Sequence, residues 1–154
     1  MSGVLTVLAR AGEASHAFQP IISTSTMRTH GVEALARLPG AADGAAVLAL
    51  LDEAVAHQAI LDAERVLLAK AMRTFAEARL PESTRLFCNV DNRVFQHARP
   101  DFDQLDRAIR QAGLSHRQIC WEISERDAIE LDEAASDFLR QITKSDAVSY
   151  THLT

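Results

Sequence analysis

Aromatic residues make up only 5% of this 154-residue chain. That leaves no material for a stacking platform on which the bases of a single-stranded nucleic acid could lie. An excess of positive charge is missing too. With 16 Lys and Arg against 21 Asp and Glu, the formal net charge is −5, and coating a nucleic-acid backbone needs clustered cations. Cysteine is scarce: Cys88 and Cys120 each sit in an apolar, strand-like run, no CxxC spacing occurs, and the six histidines are scattered. Zinc is therefore not expected, and the two thiols read as reduced and structural. No apolar stretch approaches the length of a membrane span, and residues 4–8 lack the basic flank and the length of a signal peptide. A cytoplasmic protein without a membrane segment is expected. What is present is 47% apolar residues, enough for the core of one domain.

The most informative stretch is His30-Gly31-Val32-Glu33-Ala34-Leu35-Ala36-Arg37-Leu38. Read as a strand, it puts Gly31, Glu33, Leu35 and Arg37 on one face and an apolar set on the other. Glu33 and Arg37 are then roughly 13 Å apart at about 3.3 Å of rise per residue, which suits a phosphate-containing ligand lying along the strand. Read as a helix, the same residues form an i,i+4 pair worth a few tenths of a kcal/mol. Local propensity alone favours the helix. The neighbouring chain favours the strand: Phe18-Gln19-Pro20-Ile21-Ile22 is β-rich, and the polar run 23–29 between the two stretches makes a hairpin. Residues 1–17 are expected to be a short helix or the tail of a linker.

Pro39-Gly40 closes the second arm, and helical spacing follows over 45–57 and 61–78. On these helices Asp52, Glu53, Glu64, Lys70 and Glu77 read as solvated faces, and Met72 with Phe75 as core. A strand is expected over 85–90, a loop over 91–100 and a helix over 101–112 with Gly113 as its C′ residue. A strand over 118–123 comes next. A helix begins at Ser124, which has Asp127 at capping-box spacing, and continues through Ile142. Strand, helix, strand at this spacing is a βαβ unit with parallel pairing.

Functional residues of parallel β/α folds collect at the C-terminal ends of strands. Asn89 and Glu122 stand there. Asn89 caps the next turn or offers its oxygen to a hard cation. Glu122, between Trp121 and Ile123, needs a metal, several donors or a buried pair such as Arg37 to offset its desolvation. Gln19 either faces a polar ligand near Glu33 or satisfies backbone. Glu125 fits a helix N-terminus or a clamp on a neighbouring loop.

Taken together, Phe18-Gln19-Pro20-Ile21, Glu33-Ala34-Leu35-Ala36-Arg37, Asn89-Val90 and Glu122-Ile123-Ser124-Glu125 resemble the EAL-domain family, in family order and over about residues 18–143. The resemblance implies an α/β fold, here a truncated TIM-like (β/α) barrel with an antiparallel first strand. It implies a cyclic di-GMP phosphodiesterase of bacterial second-messenger signalling, which hydrolyses cyclic di-GMP to linear pGpG with two Mg²⁺ or Mn²⁺ ions. Carried over residue by residue, Glu33, Asn89 and Glu122 match metal ligands. Gln19, Leu35 and Arg37 match substrate contacts, and Glu125 matches a glutamate that steadies an active-site loop. Cyclic di-GMP is the implied partner, and the complete protein could form a homodimer.

The family pattern continues with a paired Asp-Asp, a catalytic Lys, another metal-binding Glu and a Gln-Gly. No Asp-Asp dipeptide occurs here, and the only lysines are Lys70 and Lys144. A barrel of this kind takes about 250 residues. The chain is therefore expected to be the N-terminal part of such an enzyme: an extension at 1–17, a partial domain at 18–143 and a non-native tail at 144–154 that resembles a translated adapter remnant. Its catalytic set is incomplete and no hydrolysis is expected of it alone. The alternative is a non-catalytic module that binds cyclic di-GMP or a protein partner. An unclosed sheet of this kind predicts poor solubility.

Overall fold

The computed structural model of the chain describes residues 3–41, 43–123, 133–145 and 148–151. In order these form α1 (Gly3–Glu13), β1 (Ser15–Ile22), β2 (Thr29–Arg37), α2 (Ala45–Ala56), α3 (Ile60–Glu77), β3 (Arg85–Val90), α4 (Arg93–His97), α5 (Phe102–Gln111), a 3₁₀ turn (His116–Gln118), β4 (Ile119–Ile123), α6 (Glu133–Lys144) and β5 (Val148–Thr151). The strands make a five-stranded sheet in sequential order. The β1–β2 pair is antiparallel and every later pair is parallel. This is a partial (β/α) barrel whose first strand runs against the rest, and the Glu33 stretch is a strand.

Sequence alternation decides which face of the sheet is covered. Val32, Ala34, Leu86, Cys88, Ile119 and Trp121 point to the helix layer, where they pack with Ala71, Met72 and Phe75 of α3, Ile109 of α5 and Ile142 of α6. A second core lies among the first three helices, with Val7 and Ala11 of α1, Leu50 and Ala54 of α2, and Ala63 and Leu67 of α3. Each helix contributes residues three or four apart, the spacing of one helical face. Residues 3–13 are thus a helix and part of the packing. An ion pair from Arg10 to Glu53 ties α1 to α2.

Pro20 sits on the edge strand β1, where its missing N–H costs the ladder least. Gly31 is required by contact: a Cβ there would come within 2.5 Å of the Phe87 ring and 2.6 Å of the Arg85 carbonyl oxygen. Gly113 has φ +74° and ends α5 as the C′ residue.

Two expectations change. The stretch 91–100 is not all loop, because residues 93–97 form α4, pinned by Val94 and Phe95 at 3% and 6% exposure. Five residues are too few for periodicity to register. β1 begins at Ser15, ahead of the β-rich run, since Ser15, His16 and Ala17 pair with Arg37, Ala36 and Leu35. Residues 148–151 run beside β4, with Tyr150 in register with Glu122. The helix start at Ser124 lies outside the described residues.

Candidate functional site

Strand register brings the polar residues together. Gln19 of β1 lies opposite Glu33 of β2, Glu33 is level with Phe87 of β3, and Asn89 of β3 is level with Glu122 of β4. Registered positions on neighbouring strands share a face. Gln19, Glu33, Asn89 and Glu122 therefore project from the side of the sheet away from the helices, on four successive strands, and Leu35 and Arg37 follow Glu33 on that side.

The Asn89 side-chain amide donates to Glu33 Oε1 at 2.7 Å. Asn89 is exposed, Glu33 is half-buried, and Glu122 is buried at 9% exposure. Two carboxylates and a carboxamide offer oxygen donors only, the ligand chemistry of a hard divalent cation such as Mg²⁺ or Mn²⁺. Among the described residues no three His, Cys, Asp or Glu converge on a metal site. The Arg37 guanidinium donates to the Ala36 carbonyl at 2.9 Å and is half-buried. It forms no ion pair among the described residues, so the alternative that Arg37 neutralises Glu122 is not realised. Leu35 is half-buried and Gln19 exposed. The role expected of Glu125 falls outside the described residues.

Burial raises the Cys120 thiol to about 12, with the Glu122 charge adding to the shift. Cys88 is pushed up as well, first by burial, then by Cys120 and Glu122. Both are buried free cysteines and stay protonated at neutral pH.

Behind the strand ends lies a group that the helical pattern misjudged. Glu64, expected on a solvated face, is 5% exposed. It stands on the same stripe of α3 as Ile60, Ala63, Leu67 and Ala71, so its side chain is turned into the packing. Its apolar neighbours at i±3 and i±4 were the available signal. Burial raises its carboxyl to about 8; the Asp91 carboxylate adds to this, while the Asp91 N–H and the Arg93 charge oppose it. At neutral pH the group is mostly protonated. Asp91 N–H donates to Glu64 Oε1 at 3.0 Å. Arg93 grips the Asp91 carboxylate through Nε at 2.9 Å and Nη2 at 2.6 Å, and reaches Asp52 of α2 through Nη1 at 2.6 Å. A cavity of about 260 Å³ has Leu35, Arg37, Asn89, Glu64 and Asp91 among its lining residues.

The family model described as "EAL domain" matches residues 4–147. The chain belongs to the EAL domain family. No curated protein matches it. Among solved EAL structures it is similar to the Klebsiella pneumoniae BlrP1 calcium/cy-diGMP complex, at 19% identity and a TM-score of 0.73, covering 89% of this chain and 34% of that one. The PaMucR phosphodiesterase in complex with c-di-GMP also gives 19% and 0.73, over 95% and 61% of the two chains. A standalone versatile EAL protein from Vibrio cholerae O395, in its c-di-GMP-bound form, gives 19% and 0.71 over 90% and 56%. At such identities the likeness is one of fold, and this EAL chain spans a third to three-fifths of the lengths of these proteins. Among its described residues no helix is long and apolar enough to cross a membrane.

Proposed function

We propose that this EAL chain supplies the Glu33, Asn89 and Glu122 side of a divalent-metal site in a cyclic di-GMP phosphodiesterase whose product is linear pGpG. One observation carries the proposal: three successive strands present these oxygen ligands from one face, two of them already joined at 2.7 Å. The EAL relatives with cy-diGMP and with calcium or manganese support it by analogy of fold.

Glu33, Asn89 and Glu122 would hold the ion, Mg²⁺ or Mn²⁺. When bound, it supplies Lewis acidity and a water of lowered pKa. The chain's own part is orientation. The Asn89 amide restrains one Glu33 oxygen and leaves the carboxamide oxygen as its ligand atom. Arg37 offers donors to a phosphate oxygen, and Leu35 an apolar surface beside it. Gln19, opposite Glu33, is placed to hydrogen-bond the ligand at the sheet edge. Glu122 is buried at 9% exposure, so a cation beside it would offset part of the cost of desolvating its charge.

A second reading rests on the composition of the catalytic set. Without an Asp-Asp pair, and with Lys70 on α3 donating to the Gly12 carbonyl, nothing in this sequence completes the family's catalytic complement. On that reading the chain binds the nucleotide or a protein without turnover. Calorimetric titration of residues 1–154 with Mn²⁺ and then cyclic di-GMP, followed by chromatography for pGpG, tests metal binding, nucleotide binding and turnover in turn, and uptake of Mn²⁺ favours the first reading over the second. Binding with no pGpG is the expected result for this chain. Absence of both metal and nucleotide binding counts against both readings.

A further inference from the structure

β3 delivers Asn89 and then must stop: Val90 is the last ladder residue, and Asp91 opens the turn into α4. The Asp91 N–H is therefore the first backbone donor past the strand, and it is buried, with its residue at 7% exposure. A buried donor left unpaired carries the full penalty of desolvation. Glu64 Oε1 accepts it at 3.0 Å from the core stripe of α3. The side chain of Asp91 is held separately, by the Arg93 backbone N–H at 3.0 Å and by its guanidinium, which also bonds Asp52. The turn is thus fixed from two directions, its backbone to α3 and its carboxylate to Arg93 and, through Arg93, to α2.

Two residues upstream, the Asn89 carboxamide meets Glu33 at 2.7 Å. A hydrogen bond of that length survives only small displacements of the strand end. An acid on the core-facing stripe of a helix is an expensive way to fill space, since Leu or Met would pack there without desolvation cost. Its return is the acceptor it carries to the buried Asp91 N–H just past the end of β3.

We propose that Glu64 is a positioning residue: by accepting the Asp91 amide it fixes the end of β3 and so holds the Asn89 carboxamide in place against Glu33. The significance for metal binding rests on Asn89 being a ligand, as proposed above; the effect on the Asn89–Glu33 contact does not. Glu64→Gln keeps a carbonyl acceptor of the same reach, whereas Glu64→Met keeps length and volume but has no comparable acceptor.

The test compares the whole chain and these two variants by ¹H–¹⁵N NMR, following the Asn89 side-chain amide and exchange at the Asp91 amide without metal, and then titrates each with Mn²⁺. Glu64→Met is expected to release protection at Asp91, shift the Asn89 side-chain signals towards those of a free carboxamide, and weaken Mn²⁺ about tenfold. Glu64→Gln is expected to stay near wild type on all three readouts. Wild-type Asn89 and Asp91 signals in folded Glu64→Met overturn the proposal, and so does Glu64→Gln behaving like Glu64→Met. If the wild-type chain binds no Mn²⁺, the metal reading fails while the metal-free signals still decide the role of Glu64. Should Glu64→Met not fold, the wild-type chain is decisive: a scalar coupling through the hydrogen bond from Asp91 ¹⁵N to the Glu64 carboxyl carbon is expected, and an assigned Asp91 amide without it overturns the proposal.

Discussion

The two faces of the same strands obey different rules. Toward the helices, Leu86, Cys88, Ile119 and Trp121 are at most 2% exposed and apolar. On the opposite face, one residue along in each strand, stand Glu33, Asn89 and Glu122, which no hydrophobic argument would place there. One face holds the sheet to its helices, and the other carries polar groups, two of which, Asn89 and Glu33, are hydrogen-bonded to each other. The division is a consequence of period-two geometry, so a substitution should move stability or binding according to which face it touches.

The largest stability effect is expected for Leu86→Ala on the helix side. Leu86 is fully buried between strand and helices, and truncation there should cost about 2–5 kcal/mol by lost transfer energy and a residual cavity. Urea unfolding measures it, and a loss below about 1 kcal/mol would mean that this face is not the packed one. Next comes Gly31→Ala, on the site face beside Glu33. Its new methyl meets the Phe87 ring and the Arg85 carbonyl oxygen. The ring can turn but the backbone oxygen cannot, so about 1–3 kcal/mol of strain is expected, with displaced β2–β3 pairing visible as faster amide exchange.

The contrast also explains what could be read in advance. A short, nearly continuous apolar run sufficed for β3 and the two-faced pattern of 118–123 for β4, and helical spacing sufficed for α2, α3 and α5 because each of these helices buries one regular stripe. Glu33 was ambiguous because its Ala- and Leu-rich neighbours suit a helix as well as a strand, and only the hairpin partner and the family motifs separate the two. Asn89 and Glu122 stood out at strand ends and Gln19 near Glu33, and the family motifs marked all three, but the sequence could not say that register aligns them on one face. Glu64 was misjudged because a charged residue on a helix is usually solvated. Its partner Asp91 is an N–H presented by another element, and a backbone donor leaves no mark in composition. α4 was missed for want of length.

Glu64 provides a test that depends on pH. Its carboxyl ionises at about 8 in the native chain against an ordinary value of 4.5, so the native state binds more protons between those values. Stability is then fullest below 4.5 and declines as pH rises, with a limiting slope of about 1.4 kcal/mol per pH unit, until the native carboxyl itself ionises. His16 acts in the opposite sense: burial, then the Lys70 charge, lower it to about 4, so its contribution falls away as pH drops below its ordinary value of 6.5. Between pH 6.5 and 8 the Glu64 slope stands clear of His16. Denaturant midpoints across that range should fall in the wild-type chain and flatten in Glu64→Gln. An equal slope in both proteins would assign the pH dependence to other groups.

Glu33→Ala sharpens the comparison most because its two effects should diverge. Glu33 is half-buried, and its partner Asn89 is exposed. Removing the carboxylate leaves an amide that water can satisfy, so stability should change by no more than about 0.5–1 kcal/mol. Binding should respond quite differently. Losing one of three oxygen ligands, and with it the restraint on a second, should abolish measurable Mn²⁺ affinity if this face is the metal site. Thermal unfolding and Mn²⁺ titration on the same sample decide it. A stable variant that no longer takes up metal places the function on the face away from the helices, whereas unchanged metal affinity would remove Glu33 from the site and leave its pairing with Asn89 as a structural contact.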